Sequence, residues 1–522
     1  MTKHNLFQQP WTQSALAALL LWLSFPPYNL GVLQIPAFTL LFRLSVTSVT
    51  VRQMILYTYP SFVLWNLLST YWLMMATVAG GAAAIFANAA LMVLPLIAIR
   101  QLFRSNFHPI LSSFVAASSW VSYEFLHHQW DLAWPWLTLG NAWSNLTGVI
   151  QYISVTGVWG ISFWVVFTAA LVFQSMQTNS KTLRRTALAV FVLFPVLSVF
   201  SMIGIQQPDD HPVDVAIVQP NSDSYESYGG HNSLDDLVTH LLELSQSVQT
   251  EKTDVIIWPE NALDASLTLA SPQLNRVRDS LRVWDTQLIT GSGYLRYYNE
   301  DEEPVLTRGE HSGRAYNVYN AAFQLYPDQM TEIYKKGRLV PIVERFPFLN
   351  FFNSVDRFGW VDWGGLMGYG LGTEATVFDV NGALTPALIC YDSVFPGWVN
   401  QFVANGAGFI TIITNDGWWG DSDGHTQHFA YARLRAIEHR QWIARSANNG
   451  ISGIISPDGK VQVETEYWTE AAFSYQIYKS DTKTFYGTYG DWLPWFLLIC
   501  TFTGLGYLLA ANRLQKQTSG EE

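Results

Sequence analysis

Residues 186–219 read TALAVFVLFPVLSVFSMIGIQQPDDHPVDVAIVQ, and the change of material at Gln206 decides the fold. Thr186 to Ile205 form an uncharged apolar run of the length a helix needs to cross a hydrocarbon core about 30 Å thick. After an acidic turn, Val213 to Gln219 is a short apolar run stopped by Pro220, the pattern of a buried strand. A membrane helix thus hands over to a layered soluble domain within a few residues. The same contrast holds across the whole chain. Its 13% charged content is about half that of an ordinary soluble protein. Residues 206–491 hold 19 of the 29 Lys+Arg and 37 of the 41 Asp+Glu, a formal charge of −18. Ten bases and four acids remain for the flanks. A domain this acidic excludes nucleic acid as a partner, because neutralising phosphates takes clustered Lys and Arg.

Working toward the N-terminus, apolar stretches of spanning length occur at 11–27, 30–47, 54–76, 80–99, 109–127, 149–173 and 186–205, and an eighth lies at 492–511. The first two are short and interrupted by Pro26, Pro27 and Pro36, which predicts a helical hairpin with frayed ends. A signal peptide followed by buried soluble helices is disfavoured, because Lys3 and His4 make only a thin basic leader. The expected division is a seven-helix membrane domain at 1–205, a catalytic domain at 206–491, and a last span with a short tail at 492–522. Placing the N-terminus inside puts Lys3, Arg43, Arg52, Arg100, Arg104, Lys181, Arg184, Arg185, Arg513 and Lys516 on the cytoplasmic side, while the outside connections near Pro26, near Gly80 and over 128–148 carry no Lys or Arg. The positive-inside bias therefore places the acidic domain outside the cytoplasm. The tryptophans 130, 134, 136 and 143 of the last outside loop suit an interfacial aromatic belt.

Within the acidic domain, strands are expected at 213–219, 254–258, 287–291, 321–326, 383–390, 409–414 and 451–455. Helices are expected at 234–248, 274–284, 393–404 and 425–446. The early alternation predicts βαβ units and an α/β core. The chain has two cysteines, and Cys500 falls inside the last apolar span. Cys390 faces an oxidising compartment with no thiol to pair with, and it stands at the C-terminal end of the strand Ala387-Leu-Ile-Cys390, where α/β folds place their chemistry. A nucleophilic thiol needs a base and an oxyanion partner. Two other strand ends offer them: Glu260 follows Val255-Ile-Ile-Trp-Pro259, and Lys335 and Lys336 precede Leu339-Val-Pro341 and Glu344. Taken singly, a Glu after Pro is usually a turn residue and a Lys usually a solvated charge. Their joint occurrence with the lone Cys is what points to catalysis.

At these positions the sequence resembles the nitrilase superfamily and, within it, the apolipoprotein N-acyltransferases. The likeness is carried by Val218-Gln219-Pro220-Asn221, Trp258-Pro259-Glu260, Tyr319-Asn320, Tyr334-x-Lys336-x-x-Leu339-Val340-Pro341 with Glu344, and Ile389-Cys390-Tyr391. It continues through Asn415-Asp416, Gln427-His428, Glu438, Arg445-Ser446, Asn448-Asn449-Gly450 and Gly490-Asp491-Trp492. The resemblance implies an eight-span membrane domain joined to an αββα sandwich. It assigns Glu260 as general base, Lys336 as the oxyanion-stabilising cation, Cys390 as nucleophile, Glu344 as a second positioning carboxylate and the Tyr391 backbone N–H as a further oxyanion donor. Where the family has Phe-Gly this chain has Ile342-Val343, where it has Glu two residues after the Cys this chain has Asp392, and Thr488 replaces a frequent Arg.

The resemblance implies ping-pong acyl transfer without a cofactor, in which Cys390 takes an acyl chain from a membrane phospholipid and passes it to the α-amine of a diacylglyceryl apolipoprotein. The expected setting is a monomer in a bacterial inner membrane, with both termini cytoplasmic and the catalytic domain periplasmic. The alternative is a membrane-anchored amidase with the same triad. A transporter is disfavoured because the spans hold no ionisable residue away from their ends except Glu124. His425 and His428 stand three residues apart but lack a third ligand, so no metal site is expected. Gly368-x-Gly370-x-Gly372 has no strand before it and no helix after it, and it reads as a loop.

Overall fold

The computed structural model describes residues 9–203, 211–299, 301–302, 304, 306–328, 331–356 and 359–519, with side chains to residue 513. Lys3, Gln206 and the Lys516 side chain, used above for orientation and for a boundary, lie outside the described residues. The chain divides into two compact units, residues 1–205 with 489–522 and residues 206–488.

The first unit is helical. Its longer helices are Pro10–Ser24, Gln34–Thr47, Val51–Thr70, Val78–Arg104, Pro109–His127, Trp159–Thr178, Lys181–Met202 and Trp492–Ser519. Among the described residues, four are long and apolar enough to cross a membrane: Val78–Arg104, Trp159–Thr178, Lys181–Met202 and Trp492–Arg513. Of the eight expected spans, four meet that measure of length and apolarity, and the reasons the others fall short are local. A turn at Phe25–Asn29, containing the Pro26-Pro27 pair, and a 3-10 turn at Gly31–Leu33 cut the first hairpin to helices of 15 and 14 residues. In Pro109–His127 a run of serines lowers the apolarity, and Ser113, Ser118, Ser119 and Ser122 each bond the carbonyl four residues back. Gly157, at φ +63°, separates a short turn at Ile153–Thr156 from Trp159–Thr178.

Some of the buried polar groups of this unit are paired with one another or with free carbonyls. Asn88 donates to Asn66 at 2.8 Å, and the Arg100 guanidinium caps the C-terminal carbonyls of Gln34–Thr47 through Ser45, Ser48 and Val49. The last helix is tied in at its start, where Trp159 Nε1 donates to Asp491 at 2.7 Å and Trp492 Nε1 to the Val155 carbonyl at 2.8 Å. Farther along, Gly504 packs so closely on Val115 that an added Cβ would come within 2.7 Å of its side chain, the small-residue contact that lets membrane helices approach.

The second unit contains two packed sheets. In the larger, eight-stranded sheet the spatial order is Ala471–Tyr478, Pro212–Gln219, Val255–Ile257, Gln287–Tyr297, Arg314–Leu325 and Gly309–His311, with Leu263–Leu267 and Glu332–Lys335 attached at its side. Two βα steps join Pro212–Gln219, Val255–Ile257 and Gln287–Tyr297 in parallel, and the strands read as continuous apolar runs. Ala216, Val218, Ile256 and Leu288 face Leu237, Leu241, Val277 and Leu281 of the helices Leu234–Val248 and Pro272–Trp284. The second sheet has the order Ala387–Ile389, Ile410–Thr414, Ile443–Ala447, Gly453–Ile455 and Val461–Glu464, parallel over its first three strands. Ser446 Oγ donates to the Val218 carbonyl at 2.8 Å and joins the two sheets. The helices Pro396–Ala404 and Asp423–His439 accompany the second sheet, completing the αββα sandwich.

Two expected elements change. The strand expected at 383–390 is two strands, Ala383–Thr385 and Ala387–Ile389, separated at Pro386. The helix expected at 425–446 ends at His439, because Arg440 turns left-handed (φ +54°) and Gln441 N bonds back to the Ala436 carbonyl. Ile443–Ala447, whose first four residues were read from sequence as part of that helix, is the central strand of the second sheet.

Candidate active site

Each reactive side chain sits just beyond the C-terminal end of a strand. Glu260 follows Val255–Ile257, and its backbone lies against Gly291 of the neighbouring strand. A Cβ at position 291 would fall 2.6 Å from Glu260 Cα, so only glycine permits this approach. Lys336 follows Glu332–Lys335, with its own N–H and C=O fixed by the Asn320 carbonyl and the Gly372 N–H, each at 2.9 Å. Cys390 follows Ala387–Ile389 in the left-handed region at φ +46° and starts a 3-10 turn running to Val394. A non-glycine residue held there is strained and persists only when its surroundings over-determine it.

The three come together in a buried cluster. Lys336 Nζ lies 3.2 Å from Glu260 Oε1 and 2.8 Å from Glu344 Oε1. Asn320 Nδ2 bridges the same two carboxylates, donating at 2.7 and 3.0 Å. Glu260 Oε2 accepts from the Asn415 N–H at 3.0 Å, and Glu344 Oε2 from the Val340 N–H at 2.7 Å. Neither carboxylate is left with an unsatisfied oxygen, which is what makes burial of such charges tolerable.

These surroundings set the proton affinities. Burial raises Glu260, the Lys336 charge opposes that rise and Glu344 adds to it, leaving the carboxyl above its ordinary range. Burial by itself would lower Lys336, but Glu260 and Glu344, with Cys390 and Asp392 beyond them, hold its ammonium well above the usual lysine value. Burial and then the Glu260 charge push the Cys390 thiol far up, against Lys336. These surroundings favour the protonated thiol at Cys390.

Asp392, the shorter side chain at the family's Glu position, is tightly held. It accepts from Tyr334 OH at 2.8 Å, the Arg338 N–H at 2.7 Å and the Ile389 N–H at 3.1 Å. Burial pushes it up to about 6, with Lys336 and these bonds pulling the other way. It joins the Cys390 turn to the loop that follows Lys336. Tyr391, proposed for its backbone N–H, lies next to the thiol in the first turn of the 3-10 segment.

Several partners were not assigned from sequence. Asn320 appeared there only as part of a motif. The far side of Cys390 rests on a second buried charge group: Asp416 accepts from Arg445 at 2.7 Å, contacts His428 Nδ1 at 2.9 Å and accepts from the Thr414 hydroxyl at 2.7 Å. Thr414 contacts the thiol, and His428 Nε2 stands 3.3 Å from the Cys390 carbonyl and 3.1 Å from Ser393 Oγ. Burial would raise Asp416, but His428 and Arg445 overcome it and hold the carboxylate well below its ordinary range. The available signal was an Arg inside an apolar run, Ile443-Ala-Arg445-Ser-Ala447, since a charge buried in a strand requires a counter-charge. Cys390, Asp416 and His428 offer ligand atoms within 4.8 Å of one another. Arg445 already supplies the cation that Asp416 faces, and a hydrogen-bonded network accounts for the cluster. His425 instead stacks on Tyr467 with ring centroids 3.8 Å apart.

The arrangement provides a thiol, a buried base and a fixed ammonium, the elements of acyl transfer through a covalent intermediate. Comparison with known proteins shows the family of the chain. Residues 17–171 match the apolipoprotein N-acyltransferase N-terminal domain, and residues 214–485 match the carbon-nitrogen hydrolase family. The apolipoprotein N-acyltransferase of Chlorobaculum tepidum is 32% identical over 516 residues, covering 94% of this chain and 95% of the relative. Apolipoprotein N-acyltransferase 2 of Treponema denticola is 28% identical and covers 75% of each chain. Among solved structures, a CN-hydrolase superfamily protein of Xanthomonas campestris is 19% identical, covers 51% of this chain and 91% of its own, and superimposes with a TM-score of 0.36.

Removing Arg445 leaves Asp416 buried without its cation. Arg445→Met should cost about 3–5 kcal/mol of stability, read by chemical denaturation in detergent, and adding Asp416→Asn should restore most of it. A double variant no more stable than Arg445→Met would contradict the pairing.

Proposed function

The chain belongs to the apolipoprotein N-acyltransferase family, and we propose that it moves an acyl chain from a membrane phospholipid to the α-amine of a lipoprotein's N-terminal diacylglyceryl-cysteine by way of Cys390. The observation that supports this route is the Lys336 ammonium gripped by Glu260 and Glu344 beside a buried thiol. Glu260 takes the Sγ proton as the sulfur attacks the donor ester carbonyl. The negative charge that develops on that oxygen is stabilised by Lys336 and the Tyr391 N–H. The C–O bond breaks, the lysophospholipid alkoxide takes the proton from Glu260 and leaves, and a thioester remains. The acceptor amine then attacks the thioester and gives its proton to Glu260. The C–S bond breaks, and the thiolate recovers the proton as the amide is released. Each substrate meets Cys390 in turn, so ping-pong kinetics follow.

Both substrates carry acyl chains, and exposing a chain to water costs about 0.8 kcal/mol per CH2. A catalytic domain fixed to a helical unit in the same membrane avoids that cost. In this reading all eight apolar stretches cross the inner membrane of a bacterium and the ten bases of the flanks mark the cytoplasmic side. The catalytic unit is periplasmic, and the enzyme works as a monomer without a cofactor.

Mass spectrometry of the intact enzyme after incubation with phospholipid should show one acyl adduct, mapping to Cys390, which a diacylated lipopeptide discharges faster than water does. An adduct at another residue, or discharge that lipopeptide does not accelerate, would contradict the route. The base assignment carries its own pH signature. Glu260 must be ionised to accept a proton, so activity falls as pH drops through its value, which lies above the ordinary carboxylate range. The Glu344 charge is one of the causes of that rise. Glu344→Gln should therefore move the acidic limb of kcat/KM to lower pH, whereas an unchanged or raised limb would remove Glu260 from the role.

A further inference from the structure

Arg338 stands two residues beyond Lys336, on the loop that Asp392 fastens to the Cys390 turn. Its Cα therefore lies at most about 7 Å from that of Lys336. Two rings from the segment that follows the nucleophile fix its guanidinium. The central carbon is 5.0 Å from the centroid of the Trp398 ring and 5.4 Å from that of Phe395, the stacking that suits a planar cation. Trp398 is itself anchored, since its Nε1 donates to Tyr334 OH at 3.1 Å and Tyr334 in turn donates to Asp392. Phe395 packs edge-on to Tyr391 with ring centroids 5.0 Å apart. A row of contacts thus leads from the guanidinium through Phe395 to the residue beside Cys390.

This cation has no counter-ion of its own. Residues 206–491 hold 19 bases against 37 acids, yet among the described residues the Arg338 side chain forms no ion pair, and its buried Nε–H meets no acceptor. Asp392 is the carboxylate whose charge it feels. The oxygens of Asp392 are taken by Tyr334 OH and by the backbone N–H groups of Arg338 and Ile389. The helix Pro396–Ala404 starts after Phe395 with no acidic residue in its first turn, so its end adds to the positive potential there. A buried donor without an acceptor is costly. A guanidinium held flat on two rings in that state is prepared for an anion that offers two oxygens.

We propose that Arg338 binds the phosphodiester of the acyl donor, taking its two free oxygens on the guanidinium fork. The inference rests on the phospholipid-to-thioester route above and names a residue that positions the donor. In a phospholipid the phosphate is joined to the ester groups through the glycerol carbons alone. Its anchor must therefore stand close to the cation that receives the ester's developing charge, as Arg338 does beside Lys336. The contact reads a charge that all such donors share and is indifferent to the group beyond the phosphate. The diacylglyceryl end of the acceptor carries no phosphate, so Arg338 acts in formation of the thioester and not in its discharge.

Single-turnover acylation of Cys390, followed by intact-mass spectrometry of the full-length protein in detergent, tests this with two donors. One is dipalmitoyl phosphatidylglycerol; the other is p-nitrophenyl palmitate, an activated ester with the same acyl chain and no phosphate. At subsaturating donor, Arg338→Gln should slow acylation by the phospholipid at least about tenfold. Acylation by p-nitrophenyl palmitate, and discharge of the thioester by a diacylated lipopeptide, should stay near the wild-type rates. Arg338→Lys keeps the charge but loses the fork, and it should slow the phospholipid reaction alone by a smaller factor, which keeps the test alive if Arg338→Gln fails to fold. Equal slowing with both donors would make Arg338 a packing residue, and an unchanged phospholipid rate would remove the contact; either overturns the proposal. Slowing confined to the discharge step would move the contact to an acidic group of the acceptor and overturn it as well. A wild-type protein that neither donor acylates at Cys390 would overturn the thioester route, and this contact with it.

Discussion

The ammonium of Lys336, closed between two carboxylates inside the sandwich, is the contact on which the catalytic unit depends. Removing three charges from water is expensive, and their attraction offsets the loss only when the remaining hydrogen-bonding positions are also filled. Asn320 and the N–H groups of Val340 and Asn415 fill them. Those partners come from a sheet strand, the loop after Lys336 and the end of a strand in the second sheet. The cluster therefore forms only when both sheets and the loop are in register. In the proposed mechanism, the site thereby has a base and a cation that need no reorganisation when charge develops.

Cys390 is held from the opposite side by a second group of the same kind. Asp416, His428 and Arg445 are fully buried, and they reach the nucleophile through Thr414 and through the carbonyl of Cys390. The strained φ of Cys390 fits this arrangement, since a residue clamped on both sides can be kept in a conformation it would leave if free. Both groups act on the thiol's charge, Glu260 and Lys336 more strongly than Asp416.

Much of this was legible in the sequence because it rests on local pattern. The charge split at Gln206, the parallel strands with continuous apolar runs and the placement of Glu260 and Cys390 at strand ends follow from periodicity and composition, while the choice of Lys336 over Lys335 rested on the family resemblance. What escaped depends on contacts far apart in the chain. Ile443–Ala447 reads as helix because Arg445 and Ser446 break a strand's apolar run, and only Asp416 and the Val218 carbonyl in the fold make those residues suitable for a central strand. Asn320 is unremarkable until two carboxylates arrive from residues 60 and 24 positions away. The helical stretches were found, but the serines of Pro109–His127 and the turn at 25–29 leave several less apolar or shorter than a membrane span.

The central claim is that Lys336, with the Tyr391 N–H, receives the charge formed at the carbonyl attacked by Cys390. A cryo-electron microscopy structure of the thioester intermediate tests it most directly. The account predicts the thioester carbonyl oxygen within about 3 Å of both Lys336 Nζ and the Tyr391 nitrogen. A thioester oxygen turned away from both, with Lys336 still bound only to Glu260 and Glu344, would contradict it.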